Sequence, residues 1–396
     1  MTTMERPLVG LKVVEFTHMV MGPAIGMILA DMGAEVTKVE PPGGDNTRRL
    51  GGSGAGYFAM YNRNKQSLCA DLKSAAGRDA VRRLVDSADV VIENFRAGAM
   101  DENGFGYGVL AAHNPGLIYC SAKGFLAGPY DRRVALDEVT QMMGGLAYMT
   151  GLPGKPMRAG ASVIDVTGAM FGVIAILGAL QERHRTGRGQ HVCSSLFETT
   201  AFLVGQHMAQ QAVTGTPAPP MTVRSSAWGV YDTFETMEGA PVFVGIVSDT
   251  QWRKFCEAFA LADFIGDPTL DRNDGRVRQR PRVLGALAPM FRSFGKQELM
   301  AKLEACGLPF APISRPEDLF DDPHLNAGGG LVPVTLPSGQ QVRLPALPIA
   351  MDGRRFDVYR DLPRAGEHSR TALLAAGMSG DAIDTLESER AIGAQR

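Results

Sequence analysis

A chain of 396 residues exceeds what one ordinary hydrophobic core supports, so about two domains are expected. Its 45% hydrophobic and 21% charged residues describe a globular protein, and a net charge of -2 without a Lys/Arg-rich run argues against nucleic acid as a partner. The five cysteines (Cys69, Cys120, Cys193, Cys256, Cys306) are odd in number and never in C-x-x-C spacing, which points to a reducing, cytoplasmic setting and excludes a structural zinc motif.

The opening MTTMERPLVG has no apolar leader segment, so no signal peptide is expected. LKVVEF (11–16) reads as a buried parallel strand, THMVMGP as a loop, AIGMILADMG as a helix stopped at Gly33, and EVTKVE (35–40) as a second strand. Together they form a βαβ unit, in which ligands gather beyond the carboxyl ends of the strands, here around His18–Met21. Ser74 caps a helix through Asp86. DVVIENF (89–95) is the next strand and ends on Asn94 and Phe95. LIYCSAKGF (117–125) brings Lys123 and Gly124 to the same edge. A helix begins at Asp137, and a longer one runs from Asp165 to His184. Its apolar run, near 166–180, is about 15 residues, short of the roughly 20 that cross a bilayer, so it reads as a buried helix and no membrane is expected. HVCSSLFETTAFLVGQHMAQQAV adds a short strand and a long helix, which completes an open α/β domain over the first half. The Pro-rich TGTPAPPM is a linker. A smaller α+β unit follows, with strands around a Glu-Gly turn and helices from Gln251 to Leu303, and then short strands and a closing helix.

Asp165 is placed as an N-cap whose helix favours an ionised carboxylate, the form that nucleophilic catalysis by Asp requires. Taken alone, an Asp at a helix start is a cap and nothing more. Lys65, Lys73, Arg96 and Lys123 fall where strands or loops meet the ligand edge, and as a group they suit a phosphorylated ligand. GGSGAG (51–56) does not join a strand to a helix with dinucleotide spacing. His184 and His191 have no partner at metal spacing, and no H-E-x-x-H, G-x-S-x-G or S-x-x-K stands in the chain.

Several blocks in order carry a resemblance. GLKVVEFTHMVMGP, LADMGAEVTKVEPPGGD, YNRNKQSLCADLK, DVVIENFRAG, LIYCSAKGF, SVIDVTGAMFGVIAILGALQERHRTGRGQ and GEHSRTAL together resemble the class III CoA-transferases, over nearly the whole chain. The resemblance implies a large Rossmann-like α/β domain built from residues 1–213 and 326–396, a linker at 214–224, a small α+β domain at 225–325, and two chains interlocked as rings in a homodimer. It places the nucleophile on Asp165, which would carry an aspartyl-CoA thioester. CoA contacts fall on Val20, Met21, Ala70 to Lys73, Asn94, Phe95, Arg96, Lys123 and Asp137. Coenzyme A and acyl-CoA enter as substrates, with no tightly bound cofactor and no metal.

Two family arginines are missing, their positions falling near Glu102 and on Pro41, so Arg132 or Arg133 is expected to supply phosphate contacts. The same fold hosts α-methylacyl-CoA racemases, which need a second acid/base opposite the Asp. Leu136 occupies that position, which favours the transferase. A non-catalytic acyl-CoA-binding protein is the third alternative, disfavoured by the intact Asp165. The small domain lacks the Gly-rich loop of formyl-CoA transferase. That disfavours oxalate, and SSAWGVYDTF with GIVSDTQW resembles members acting on dicarboxylates or larger acids, so a short dicarboxylic acid with a succinyl-CoA-like donor is what the resemblance implies, with His18 placed to hydrogen-bond a substrate carboxylate.

Overall fold

The computed structural model describes residues 6–224 and 226–393. The first five residues, which open the segment read as lacking a signal peptide, Ser225, where the small domain is expected to begin, and the last three residues lie outside the described residues. The chain separates into two compact units, residues 1–222 with 323–396, and residues 223–322.

In the larger unit six strands form one parallel sheet: β1 (Lys12–Phe16), β2 (Glu35–Glu40), β3 (Gln66–Cys69), β4 (Val90–Glu93), β5 (Ile118–Lys123) and β6 (His191–Ser195). Their order is β3-β2-β1-β4-β5-β6. The winding reverses between β1 and β4, the Rossmann-like arrangement in which a crevice opens beyond the ends of those two strands. Helices cover both faces, which is why Val and Ile cluster in the central strands β1 and β4. On one face Val13, Val36, Val90, Ile92 and Ile118 pack with Ile25, Leu29 and Ile176. On the other, Val14, Phe16, Leu68 and Val91 pack with Val81 and Val85, and with Leu373 and Ile383 from the C-terminal helices. The chain end thus returns to complete the core that its beginning starts.

The helix expected at Asp165 spans Val163–Thr186, 24 residues, and ends at Gly187, whose φ of 69° suits a glycine. By length and composition it could cross a membrane. In this fold Ile164, Gly168, Ala169, Gly172, Val173, Ile176, Ala179 and Leu180 are buried in the protein. Gly172 permits close approach to Ile25, since a Cβ there would stand 2.6 Å from its Cδ1.

Two expectations are corrected. Asp165 is not the N-cap, a position held by Ser162; it is the third residue of the helix, in its first turn. Lys65 is not at the ligand edge. It is fully buried, and its Nζ donates to Glu15 Oε1 and Oε2 (2.8 and 3.0 Å), Pro23 O (2.8 Å) and Asn62 Oδ1 (3.2 Å). Burial pushes its pKa down to about 8, with Glu15 opposing that fall. Next to it, Lys38 Nζ donates to Thr17 O at 2.5 Å and pairs with Asp45 at 3.0 Å. Charged residues inside parallel strands are costly unless paired, and these are paired with one another.

The unit 223–322 has its own core. Val230–Glu235, Pro241–Ile246 and Phe310–Pro312 form an antiparallel sheet. Trp252, Phe255, Phe291, Leu299 and Leu303 pack against it.

Candidate active site

The crevice at the β1/β4 reversal is shaped by the loop Thr17–Val20. Met19 has a φ of 63°, a conformation an ordinary side chain adopts only when its surroundings enforce it. The enforcement is visible on three sides. Lys38 holds the Thr17 carbonyl from below. The His18 N–H donates to Asn94 Oδ1 (3.0 Å), and Asn94 Nδ2 donates back to His18 O (2.9 Å), which ties the β1 loop to the β4 loop. The Met19 N–H donates to Thr47 Oγ1 (3.0 Å), and Thr47 is itself held by Asp45 (2.8 Å).

Two cavities open on this loop. The larger, about 670 Å³, is lined by Thr17, Val39 to Pro42, Asp45 to Thr47, Ala70 to Lys73 and Phe95. The smaller, about 250 Å³, contains Asp165 and is lined by Val20, Met21, Tyr57, Asn94, Lys123, Gly124, Leu136, Asp137, Glu138, Arg158 and Ser162. His18 and Met19 line both. A long ligand can therefore pass from one to the other across His18, whose ring lies 5.7 Å from that of Phe95.

Asp165 faces the smaller cleft, although most of what surrounds its carboxyl is protein. Asp137, buried, reaches across to the same helix start. Its Oδ2 accepts the N–H groups of Ile164 (2.8 Å) and Asp165 (3.0 Å), and its Oδ1 accepts from Gln141 Nε2 (2.5 Å). It does what an N-cap does, from 27 and 28 residues away in sequence. Burial first, and the Asp137 charge second, push the Asp165 carboxyl up to about 7 against the pull of the Arg158 guanidinium. The expected effect of the helix dipole is thus outweighed. Asp165 is poised to exchange protonation state near neutrality, the range in which a carboxyl works as nucleophile or base. With the N–H groups of Ile164 and Asp165 occupied by Asp137, donors for a developing oxyanion must come from other groups in the cleft.

The sequence-derived residues divide between the two cavities. Ala70, Lys73 and Phe95 line the larger one, and Val20, Met21, Asn94, Lys123 and Asp137 the smaller. Arg96 lies outside both, bound at the surface to Glu102 through Nη1 (2.9 Å) and Nη2 (2.5 Å). Arg132 and Arg133 are exposed and line neither cavity. Lys123 is engaged by Glu93 and by Phe95 O, both at 2.7 Å. Tyr57, Arg158 and the Asp45–Thr47 turn are site elements that sequence reasoning missed. All three lie in loops or at the start of a short helix, where no periodicity marks them.

The doubly wound domain holds a carboxyl raised toward neutrality in one cleft and a larger cavity that shares the His18–Met19 wall with it, an arrangement for a ligand that reaches both. The sequence profile of CoA-transferase family III matches residues 8–369, and the chain belongs to that family. It is a class III CoA-transferase by descent. The chain is 33% identical to the succinate–glutarate CoA-transferase of Agrobacterium fabrum, covering 93% of this chain and 95% of that protein. It is 33% identical to the succinyl-CoA:mesaconate CoA-transferase of Haloarcula hispanica, covering 96% and 98%. Among solved structures, a CAIB/BAIF family protein from Brucella suis superimposes with a TM-score of 0.83 at 34% identity, covering 94% of this chain and all of that one.

Proposed function

We propose that the protein moves CoA from a succinyl-CoA-like donor to a short dicarboxylic acid through a covalent intermediate on Asp165. The ionised Asp165 oxygen attacks the thioester carbonyl carbon. The carbon–sulfur bond breaks, giving a mixed anhydride and CoA thiolate. The thiolate attacks the Asp165 carbonyl carbon, the donor acid leaves as carboxylate, and Asp165 is left as a CoA thioester. The acceptor carboxylate then attacks that thioester, and the same steps run in reverse. One thioester replaces another, so the exchange is close to thermoneutral.

The observation that carries this reading is the shared wall of the two cavities. His18 and Met19 border both the long cavity and the cleft holding Asp165, so a CoA body in the first brings its thioester to the carboxyl in the second. Ala70, Lys73 and Phe95 then contact the nucleotide part, with Lys73 the nearest cation for phosphate, while Val20, Met21 and Asn94 border the pantetheine end. The kind of acid follows from the relatives, one named for glutarate and one for mesaconate. The racemase alternative gains no support, because Leu136 presents an alkyl chain to the cleft where a proton carrier is needed.

The protein acts as a cytoplasmic homodimer in this reading. Ile174, Phe202 and Val213, on the helices Val163–Thr186 and Leu196–Thr214, are 62%, 72% and 86% exposed, an apolar surface suited to a second copy. Light scattering of the purified protein decides the oligomeric state.

The chemical test is incubation with succinyl-CoA and a hydroxylamine quench. A hydroxamate on the Asp165 peptide is expected, and no transfer by Asp165→Ala. Wild-type turnover in that variant would sink the assignment.

A further inference from the structure

Three basic side chains line the cleft around Asp165: His18, Lys123 and Arg158. Their partners separate them. Lys123 already serves Glu93 and the Phe95 carbonyl. Loss of water lowers the pKa of His18 below 6.5, with Asp45 opposing, so its ring is neutral at pH 7.

Arg158 is different. Its Nε donates to Ala159 O (3.0 Å) and its Nη2 to Ala161 O (3.2 Å), which fixes the plane of the guanidinium. The carboxylates beside it stand too far for hydrogen bonds: Glu138 is 3.6 Å from Nη1 and Asp137 is 3.9 Å from Nη2. The oxygens of Asp137 are already taken by Gln141, Ile164 and Asp165. Among the described residues Nη1 has no hydrogen-bond acceptor, and the side chain is 36% exposed. A guanidinium held in plane, with donors left over, is a receptor for a carboxylate.

We propose that Arg158 selects the substrate: its guanidinium binds the remote, unreacting carboxylate of a short dicarboxylic acyl group whose thioester end meets Asp165. This rests on the reading of Asp165 as the nucleophile. The cleft volume, about 250 Å³, is below the roughly 300–1,000 Å³ of sites for drug-sized ligands, which suits a short acyl chain. An acid ending in a methyl group would take water from Nη1 without offering it a hydrogen-bond acceptor, leaving that nitrogen only its 3.6 Å ion pair with Glu138. Rejection by an unpaired polar group is a far stronger filter than the fit of a hydrocarbon chain. Arg158 also stands opposite the acidic pair Asp137 and Glu138, so it offsets the repulsion that these would otherwise exert on a second carboxylate.

The test compares succinyl-CoA with butyryl-CoA, which share a four-carbon chain and differ at the far end. Hydroxamate formation on Asp165 is followed at increasing thioester concentration for the wild type, Arg158→Gln and Arg158→Lys. The wild type is expected to favour succinyl-CoA. Arg158→Gln should erase roughly 10- to 100-fold of that preference by raising KM for succinyl-CoA, on top of a smaller loss shared by both thioesters as the Asp165 pKa rises without the guanidinium, and Arg158→Lys should restore part of it. Equal losses on both thioesters would make Arg158 structural or a stabiliser of the reacting oxyanion, and would overturn the proposal. So would an unchanged ratio. A second measurement needs no chemistry: calorimetric binding of free succinate and butyrate to Asp165→Ala, with and without Arg158→Gln. Absence of hydroxamate in the wild type counts against the nucleophile. Succinate binding that survives Arg158→Gln counts against the selector, whatever Asp165 does.

Discussion

Asp137 caps the helix that carries Asp165, and the same carboxylate raises the pKa of the residue it positions. One oxygen accepts the Asp165 N–H at 3.0 Å, while its charge joins burial in holding the Asp165 carboxyl near 7. Position and reactivity are thereby coupled through one side chain. The Asp165 carboxyl is positioned by a hydrogen bond to its own backbone N–H and made a stronger base by the neighbouring charge.

A pH profile follows from this pair. Attack needs the ionised Asp165, so the rate of Asp165 acylation should fall as pH drops through about 7. Asp137→Asn keeps an oxygen for the two N–H groups but removes the charge. The acid limb should then move down by about one pH unit, remaining above an ordinary Asp because burial persists. Stopped-flow acylation from pH 5 to 9 measures both limbs. A midpoint that stays in place in Asp137→Asn would show that burial alone sets it.

Stability carries the opposite sign. The folded state holds the Asp165 proton up to about 7, whereas an exposed Asp releases it near 3.8. Between those values the folded state binds more protons, so this group's contribution to stability is present at low pH and lost as pH rises through about 7. Full loss amounts to at most about 4 kcal/mol, less in practice because the cleft admits water. Asp165→Asn should therefore raise Tm at pH 8 and change it little below pH 4. Thermal melts of freshly purified protein, checked by mass for an intact amide, give the comparison; an equal shift at both pH values contradicts it.

The first βαβ unit and the loop at its ligand edge were legible because LKVVEF and EVTKVE carry clustered apolar residues with a glycine-stopped helix between them. β3 was not. Gln66–Cys69 has four residues with little β character, and it is a strand because Glu40 and the C-terminal segment flank it, both remote in sequence. Asp165 stood out in the sequence, yet its role as cap was misread, since the helix start is capped by a residue 28 positions earlier. Local propensity has no access to such a bond. Arg158 was missed for a related reason: an arginine in an irregular segment looks like surface charge until its neighbours are in place. Lys65 shows the converse, a residue read as a cation at the ligand edge that the fold enclosed with Glu15.

That enclosure predicts a large stability effect. Lys65→Met keeps the volume of the side chain but strands the Glu15 carboxylate in the core, with only Thr17 (3.0 Å) and the more distant Lys38 (3.8 Å) beside it. The cost should be about 3–5 kcal/mol. Pairing it with Glu15→Gln removes the stranded charge and should recover part of the loss. Urea titrations of the two single variants and the double variant test this; strict additivity would mean that the two groups do not interact.

The long cavity makes a sharper prediction about phosphate recognition. Lys73 lines that cavity, whereas Arg96 is turned to the surface and neutralised by Glu102. Both are exposed, so neither contributes much to folding, and their substitution leaves the protein intact. Lys73→Ala should raise KM for acyl-CoA about tenfold, equivalent to about 1.4 kcal/mol, with kcat preserved, because the contact is the same in the ground and transition states. The rise should shrink with added salt, as expected for an exposed charge on a phosphate. Arg96→Ala should change KM less than twofold, since its charge is already spent. Dephospho-CoA thioesters complete the cycle. If Lys73 meets the ribose phosphate, the wild type and Lys73→Ala should bind the dephosphorylated thioester equally well; if it meets the pyrophosphate, the tenfold difference remains.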